Sequence, residues 1–139
     1  MTLACKILLV DDHDDIRRLV ATALGNEGYR VEVAKDALKA RRAIARGRYD
    51  LVIADVALPR GEDGISLVAH AREQGCGVLL ISGSYAAEER LKGSGLTYLM
   101  KPFRVASFLA AVQNVLAARF AERGAVPATE EPPLRRLTG

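Results

Sequence analysis

Short apolar runs recur along the chain, and each stops on a polar residue. Lys6-Ile-Leu-Leu-Val10 ends at Asp11-Asp12, Leu51-Val-Ile-Ala54 at Asp55, Val78-Leu-Leu-Ile81 at Ser82, and Tyr98-Leu-Met100 at Lys101-Pro102. Runs this short, bounded by polar residues, read as strands. The first three do not alternate, as expected of inner strands covered on both faces, whereas Tyr29-Arg-Val-Glu-Val33 alternates and belongs at a half-exposed edge.

Helical periodicities fill the gaps. Ile16, Leu19, Val20, Ala23 and Leu24 make one helix face, with Asp14 and Asp15 in the first turn and Gly25 and Gly28 near the end. Asp36 to Arg46 reads as a second helix with Leu38 and Ile44 inward, stopped by Gly47. Leu58 to Gly64 is a loop, and Ile65 to Arg72 a helix offering Ile65, Leu67, Val68 and Ala71 to the core. A short fourth helix is expected over Ala86 to Leu91, before Gly93-Ser-Gly95. Val105 to Phe120 is a strong final helix, with Leu109, Val112 and Leu116 at helical spacing and Phe108 and Val115 beside them. Strict alternation of strands and helices predicts an α/β fold: a doubly wound, five-stranded parallel sheet in a three-layer sandwich, in the order 2-1-3-4-5. Every strand then ends on one edge, where such sheets bind ligands, and the switch point falls between the first and third strands.

Composition narrows the function class. A chain of 139 residues, 50% hydrophobic and 27% charged, fits one domain. The formal charge of +3 is small, and Arg17-Arg18, Arg41-Arg42, Arg46 and Arg48 are spread over helix faces rather than gathered into a stripe, so no nucleic-acid partner is expected. Cys5 and Cys76 stand far apart without a CxxC, and read as reduced core residues. No leader-like segment and no run of membrane-spanning length is visible, so the expected location is cytoplasmic, with no membrane partner. From Ala121 the apolar periodicity ends and prolines accumulate; the expectation is a folded unit over 1–122, a disordered tail over 123–139 and no output domain.

The polar strand ends carry the chemistry. Asp11-Asp12, inside the acidic segment Asp11-Asp-His-Asp-Asp15, and Asp55 would converge at the switch point. Carboxylates so close raise one another's pKa, and a hard divalent cation relieves that cost; Mg²⁺ takes one or two carboxylates and keeps several waters. Asp55 could serve as a ligand only or as a nucleophile forming an aspartyl-phosphate. Lys101 and Ser82 add a cation and a hydroxyl, the positioning and charge neutralisation that phosphoryl transfer requires. Alone, Ser82 reads as a turn residue and Lys101 as a surface charge. His13 is close enough to the acidic group to tune it, and His70 reads as a partly exposed helix residue.

Together, Val10-Asp11-Asp12, Asp55-Val-Ala-Leu-Pro59 with Asp63-Gly64, Ile81-Ser82-Gly83 and Tyr98-Leu-Met-Lys101-Pro102-Phe103 resemble the receiver domain of two-component response regulators, over about residues 4–120. The resemblance implies a flavodoxin-like fold with Asp55 as phosphoacceptor. It implies Mg²⁺ held by Asp11, Asp12, Asp55 and the backbone carbonyl of Ala57, with Lys101 pairing with the phosphoryl group. Ser82 and Tyr98 would be the switch residues, and a cis bond would precede Pro102. The implied protein is a stand-alone regulator and not an enzyme beyond its own phosphoryl transfer and autodephosphorylation. Its donor would be a histidine kinase or phosphotransfer protein, and its target a downstream protein. Readout would run through helix 4, strand 5 and helix 5, in a monomer or weak dimer.

Other readings are a phosphate sink or phosphorelay intermediate, a non-phosphorylated adaptor, and an aspartyl-phosphate hydrolase similar to haloacid-dehalogenase phosphatases. The last needs a nucleophile with a second Asp two residues later in the first strand's loop, where this chain reads Asp11, Asp12, His13, Asp14, and a cap domain for substrate, which is not expected here. The chain also departs from the receiver pattern. Asp55 to Gly64 is nine steps, one more than usual, which makes Arg60-Gly61 an insertion beside the site. Ser82 to Lys101 is nineteen steps, short by family standards, so a truncated or irregular fourth helix is expected. Small Ala57 and Gly83 would leave an acyl phosphate open to water.

Overall fold

The computed structural model describes residues 5–59 and 62–122. Among these, strands and helices alternate as β1 (Lys6–Val10), α1 (Asp14–Asn26), β2 (Arg30–Ala34), α2 (Ala37–Arg46), β3 (Leu51–Asp55), α3 (Gly64–Glu73), β4 (Gly77–Ser82), α4 (Tyr85–Ser94), β5 (Tyr98–Met100) and α5 (Val105–Glu122). The strands form one parallel sheet, as the alternation predicts, in the expected order β2-β1-β3-β4-β5.

Period-two side-chain direction divides the core into two layers. Leu8, Val10, Val52, Ala54, Val78 and Leu80 face Ala40 and Ile44 of α2, Leu67 and Ala71 of α3, and Ala87 and Leu91 of α4. Ile7, Leu9, Leu51, Ile53, Leu79 and Ile81 face Val20 and Leu24 of α1 and Phe108, Val112 and Leu116 of α5. The inner strands bury both faces, which is why their sequences are continuously apolar. β2 is the exposed edge and begins one residue later than expected, because the Tyr29 amide still donates to Leu24 O at the end of α1.

Several side chains depart from the sequence reading. Leu38, expected inward, is 60% exposed. Asp36 caps α2 by accepting from the Lys39 amide, and the buried stripe runs through Ala37, Ala40 and Ile44, about 100–160° from Leu38 around the helix. Leu19 is 60% exposed for a similar reason: Val20 and Leu24 carry the buried face of α1. Cys5 and Cys76 are half-buried cysteines at the amino ends of β1 and β4, against opposite layers, rather than core residues.

The fourth helix is neither truncated to Ala86–Leu91 nor irregular. Ser84 caps it by accepting from the Ala87 amide, it runs ten residues, and Gly95 ends it in the left-handed region at φ 73°. Lys101-Pro102 is cis. The insertion expected at Arg60-Gly61 and the tail over 123–139 lie outside the described residues.

Candidate functional site

Register alone sets Asp11 beside Asp55. Val10 pairs with Ala54 across β1 and β3, so the next residue of each strand is an aspartate at the same level of the carboxyl edge. On the far side, Asp55 pairs with Ile81, and the Lys101 amide donates to Ser82 O at 2.7 Å, which extends the ladder across β4 and β5. Lys101 therefore starts two strands away, and only a stem of its length closes the gap. Its Nζ donates to Asp55 Oδ2 at 2.6 Å and lies 4.0 Å from Asp11 Oδ2.

Asp11, Asp55 and Ser82 are the buried polar residues among those described, at 2%, 4% and 1% exposure. Burial disfavours a carboxylate unless donors surround it. Asp55 Oδ1 accepts from the Ala57 amide at 3.0 Å, and Asp11 Oδ1 from the His13 amide at 2.8 Å. Arg17, itself held by Asp14, donates through Nη1 to the Asp11 carbonyl at 3.0 Å. Against Asp11, Asp55 and the neighbouring Asp12 stands one ammonium, so the pocket has more negative than fixed positive charge. One oxygen or nitrogen from each of Asp11, His13 and Asp55 lies within 4.8 Å of the others. The two buried carboxylates and the charge imbalance fit a divalent cation such as Mg²⁺.

Asp12 does not enter the buried pair. It lies exposed at the rim, its Oδ1 3.3 Å from His13 Nδ1. Ser82 closes the end of β4, its Oγ accepting from the Ser84 amide at 3.1 Å. Tyr98 is half-buried, with its hydroxyl donating to Glu88 Oε2 of α4 at 3.2 Å; burial and that carboxylate raise its pKa. Ala57 and Gly83 are exposed at the mouth.

Gly64 has a purely steric task. A Cβ there would lie 2.1 Å from Asp55 O, so only glycine lets the start of α3 press against the strand end that carries Asp55. Asp63 caps the same helix by accepting from the Ser66 amide at 3.0 Å. Two arginines clasp this loop from either side. Arg41 of α2 donates Nε to Glu62 Oε1 at 2.8 Å, and Arg90 of α4 donates Nη2 to Asp63 Oδ2 at 2.7 Å. The Arg41 hydrogen bond lowers the Glu62 pKa. Burial works to raise that of Asp63, but the Ser66 amide and Arg90 outweigh it and the net direction is down.

The sequence reading missed Arg17, Arg41, Glu88 and Arg90, whose partners lie across the tertiary structure. Of these, only Arg17, one helical turn after Asp14, had a local signal in the sequence.

Residues 7–113 match the family described as "Response regulator receiver domain". Protein PetR of Rhodobacter capsulatus is 33% identical over 114 residues, 79% of this chain and 48% of that protein. Response regulator MprA of Mycobacterium leprae is 33% identical over 116 residues, 80% of this chain and 50% of that protein. The chain thus spans about half the length of the curated relatives it matches. Among solved structures, a CheY-like receiver domain protein from Methanospirillum hungatei JF-1 superposes with a TM-score of 0.77 at 26% identity, covering 86% of this chain and 99% of that one. Chemotaxis response regulator CheY4 of Vibrio cholerae gives 0.72 at 31% identity, covering 81% and 99%.

Proposed function

The chain belongs to the response regulator receiver family, and from that premise we propose that it accepts a phosphoryl group on Asp55 from a histidine kinase or phosphotransfer protein. The observation that carries this reading is the buried pair of Asp55 and Asp11 met by the half-buried Lys101, with Nζ 2.6 Å from Asp55 Oδ2. An Asp55 carboxylate oxygen attacks phosphorus, the new O–P bond forms as the donor's N–P bond breaks, and the departing imidazole keeps the electron pair. Lys101 faces the charge that gathers on the phosphoryl oxygens. Asp11, Asp12, Asp55 and the Ala57 carbonyl would hold Mg²⁺, which when bound offsets the negative charge of donor and acceptor.

Ser82, buried at the neighbouring strand end, supplies a hydroxyl for the phosphoryl group, and Tyr98 links that event to α4 through Glu88. Altered packing of α4, β5 and α5 then presents a changed surface to a downstream protein. The reading places the protein in the cytoplasm and makes it catalytic only toward its own phosphoryl group. Among the described residues no helix is long and apolar enough to cross a membrane.

A second role has one specific support. Ala57 and Gly83 put small, exposed residues beside Asp55 and Ser82, which favours access of water to an acyl phosphate. A short-lived phosphate suits a phosphate sink or a phosphorelay intermediate. The test of the main reading is labelling by a small phosphodonor with Mg²⁺. Asp55→Asn is expected to abolish it, and labelling of that variant at undiminished stoichiometry would overturn the assignment.

A further inference from the structure

His13 stands apart from the receiver's oxygen donors, yet its ring sits where a cation held by Asp11 would be met. Nδ1 is 3.3 Å from Asp11 Oδ1 and 3.3 Å from Asp12 Oδ1. The residue's own amide donates to Asp11 Oδ1 at 2.8 Å, which fixes its backbone against that carboxylate. The two buried carboxylates are held by the sheet, while the imidazole is 60% exposed and can turn about its side-chain bonds. A reach of 4.8 Å or less between the ligand atoms of Asp11, His13 and Asp55 is what two coordination bonds of roughly 2.0–2.2 Å to one ion can span after a small adjustment.

We propose that His13 is a metal ligand of this chain, supplying a nitrogen beside Asp11 and Asp55, and that it shifts the site's preference from Mg²⁺ toward first-row transition cations. The inference rests on the receiver reading of the pocket as a cation site. Mg²⁺ is served by oxygen donors and keeps its waters, whereas imidazole suits the later first-row ions. Affinity for a mixed nitrogen and oxygen site rises from Mn²⁺ to Co²⁺ and beyond. The competing interpretation is that the imidazole merely pairs with Asp11 and Asp12. In that case its removal changes the binding of every divalent cation alike.

Calorimetric titration of the full chain with MgCl₂ and, separately, CoCl₂ distinguishes the two. Removing even an outer partner of a metal ligand costs about 10–100-fold in affinity. His13→Ala is therefore expected to lose at least about 10-fold in Co²⁺ affinity with that for Mg²⁺ little changed. Visible absorption of the Co²⁺ complex should move as an oxygen donor replaces nitrogen. His13→Gln, which keeps polarity and size but not the imidazole, should behave like His13→Ala. Equal changes for both cations, or no change, overturn the inference. Phosphodonor labelling of His13→Ala with Mg²⁺ separates the two readings: retained labelling alongside an unchanged Co²⁺ preference sinks the ligand role alone. Failure of the wild-type chain to bind either ion sinks both.

Discussion

At the scale of single residues, close approach and charge balance govern the site. Gly64→Ala drives a Cβ into the Asp55 carbonyl, 2.1 Å away, so strand or helix must shift. Overpacking of this kind costs about 1–3 kcal/mol. Denaturant unfolding should register that loss, and phosphodonor labelling should fall with it because the shift displaces Asp55. Lys101→Met leaves two buried carboxylates without their ammonium. The expected loss at neutral pH is about 1.5–3 kcal/mol, the range for hydrogen bonds to charged groups. Added Mg²⁺ should restore part of it, and an unfolding midpoint that ignores Mg²⁺ in this variant would contradict the charge argument. These roles were unequally legible. Asp11, Asp55 and Lys101 are polar interruptions of apolar runs and stand out locally. Gly64 was seen only as half of a motif, since its reason, contact with the Asp55 backbone, is absent from its own neighbourhood in sequence.

At the scale of elements, α4 and the loop before α3 are bound together by polar contacts rather than by a deep apolar seam. Ala87 and Leu91 are the buried residues of α4, while Glu88 holds Tyr98 and Arg90 holds Asp63. Gly95→Ala places a Cβ in the left-handed region at the end of this helix, at a cost of about 1–2 kcal/mol, measurable in the unfolding midpoint. The two arginine clasps also predict an acid response. Glu62 and Asp63 have folded-state pKa values below their unfolded ones, so their stabilisation is complete above the unfolded carboxylate range of about 4. It is lost as pH falls through the lower folded values. The thermal midpoint of the Arg41→Ala, Arg90→Ala double variant should therefore start lower at neutral pH and fall less between about pH 5 and 3 than that of wild type. Exposed pairs contribute about 0–1 kcal/mol each, so parallel curves separated by a constant offset would contradict the assignment.

At the scale of the whole molecule, the sheet is buried at its centre and offers its exposed strand β2 at one edge and β5 at the other. Phosphorylation should thus alter amide exchange most in α4 and β5 and least in β1 and β3, whose residues Ile7 to Val10 and Leu51 to Asp55 are buried throughout. Uniform change across all strands would speak against a local switch. Period-two and helical patterns, together with the polar residue closing each run, determined the elements and their alternation, and with the strand order usual for five such units they brought Asp11, Asp55 and Lys101 to one edge, because burial acts through positions that a chain displays in order. Tertiary structure alone decided the rest. It turned Leu38 and Leu19 outward, since which stripe of a helix is buried depends on its caps and neighbours. It set Asp12 at the rim and His13 against Asp11, and it joined Arg41 and Arg90 to the loop beside the site. Those contacts depend on where separate elements stop and how far a side chain reaches, distances that spacing along the chain does not contain.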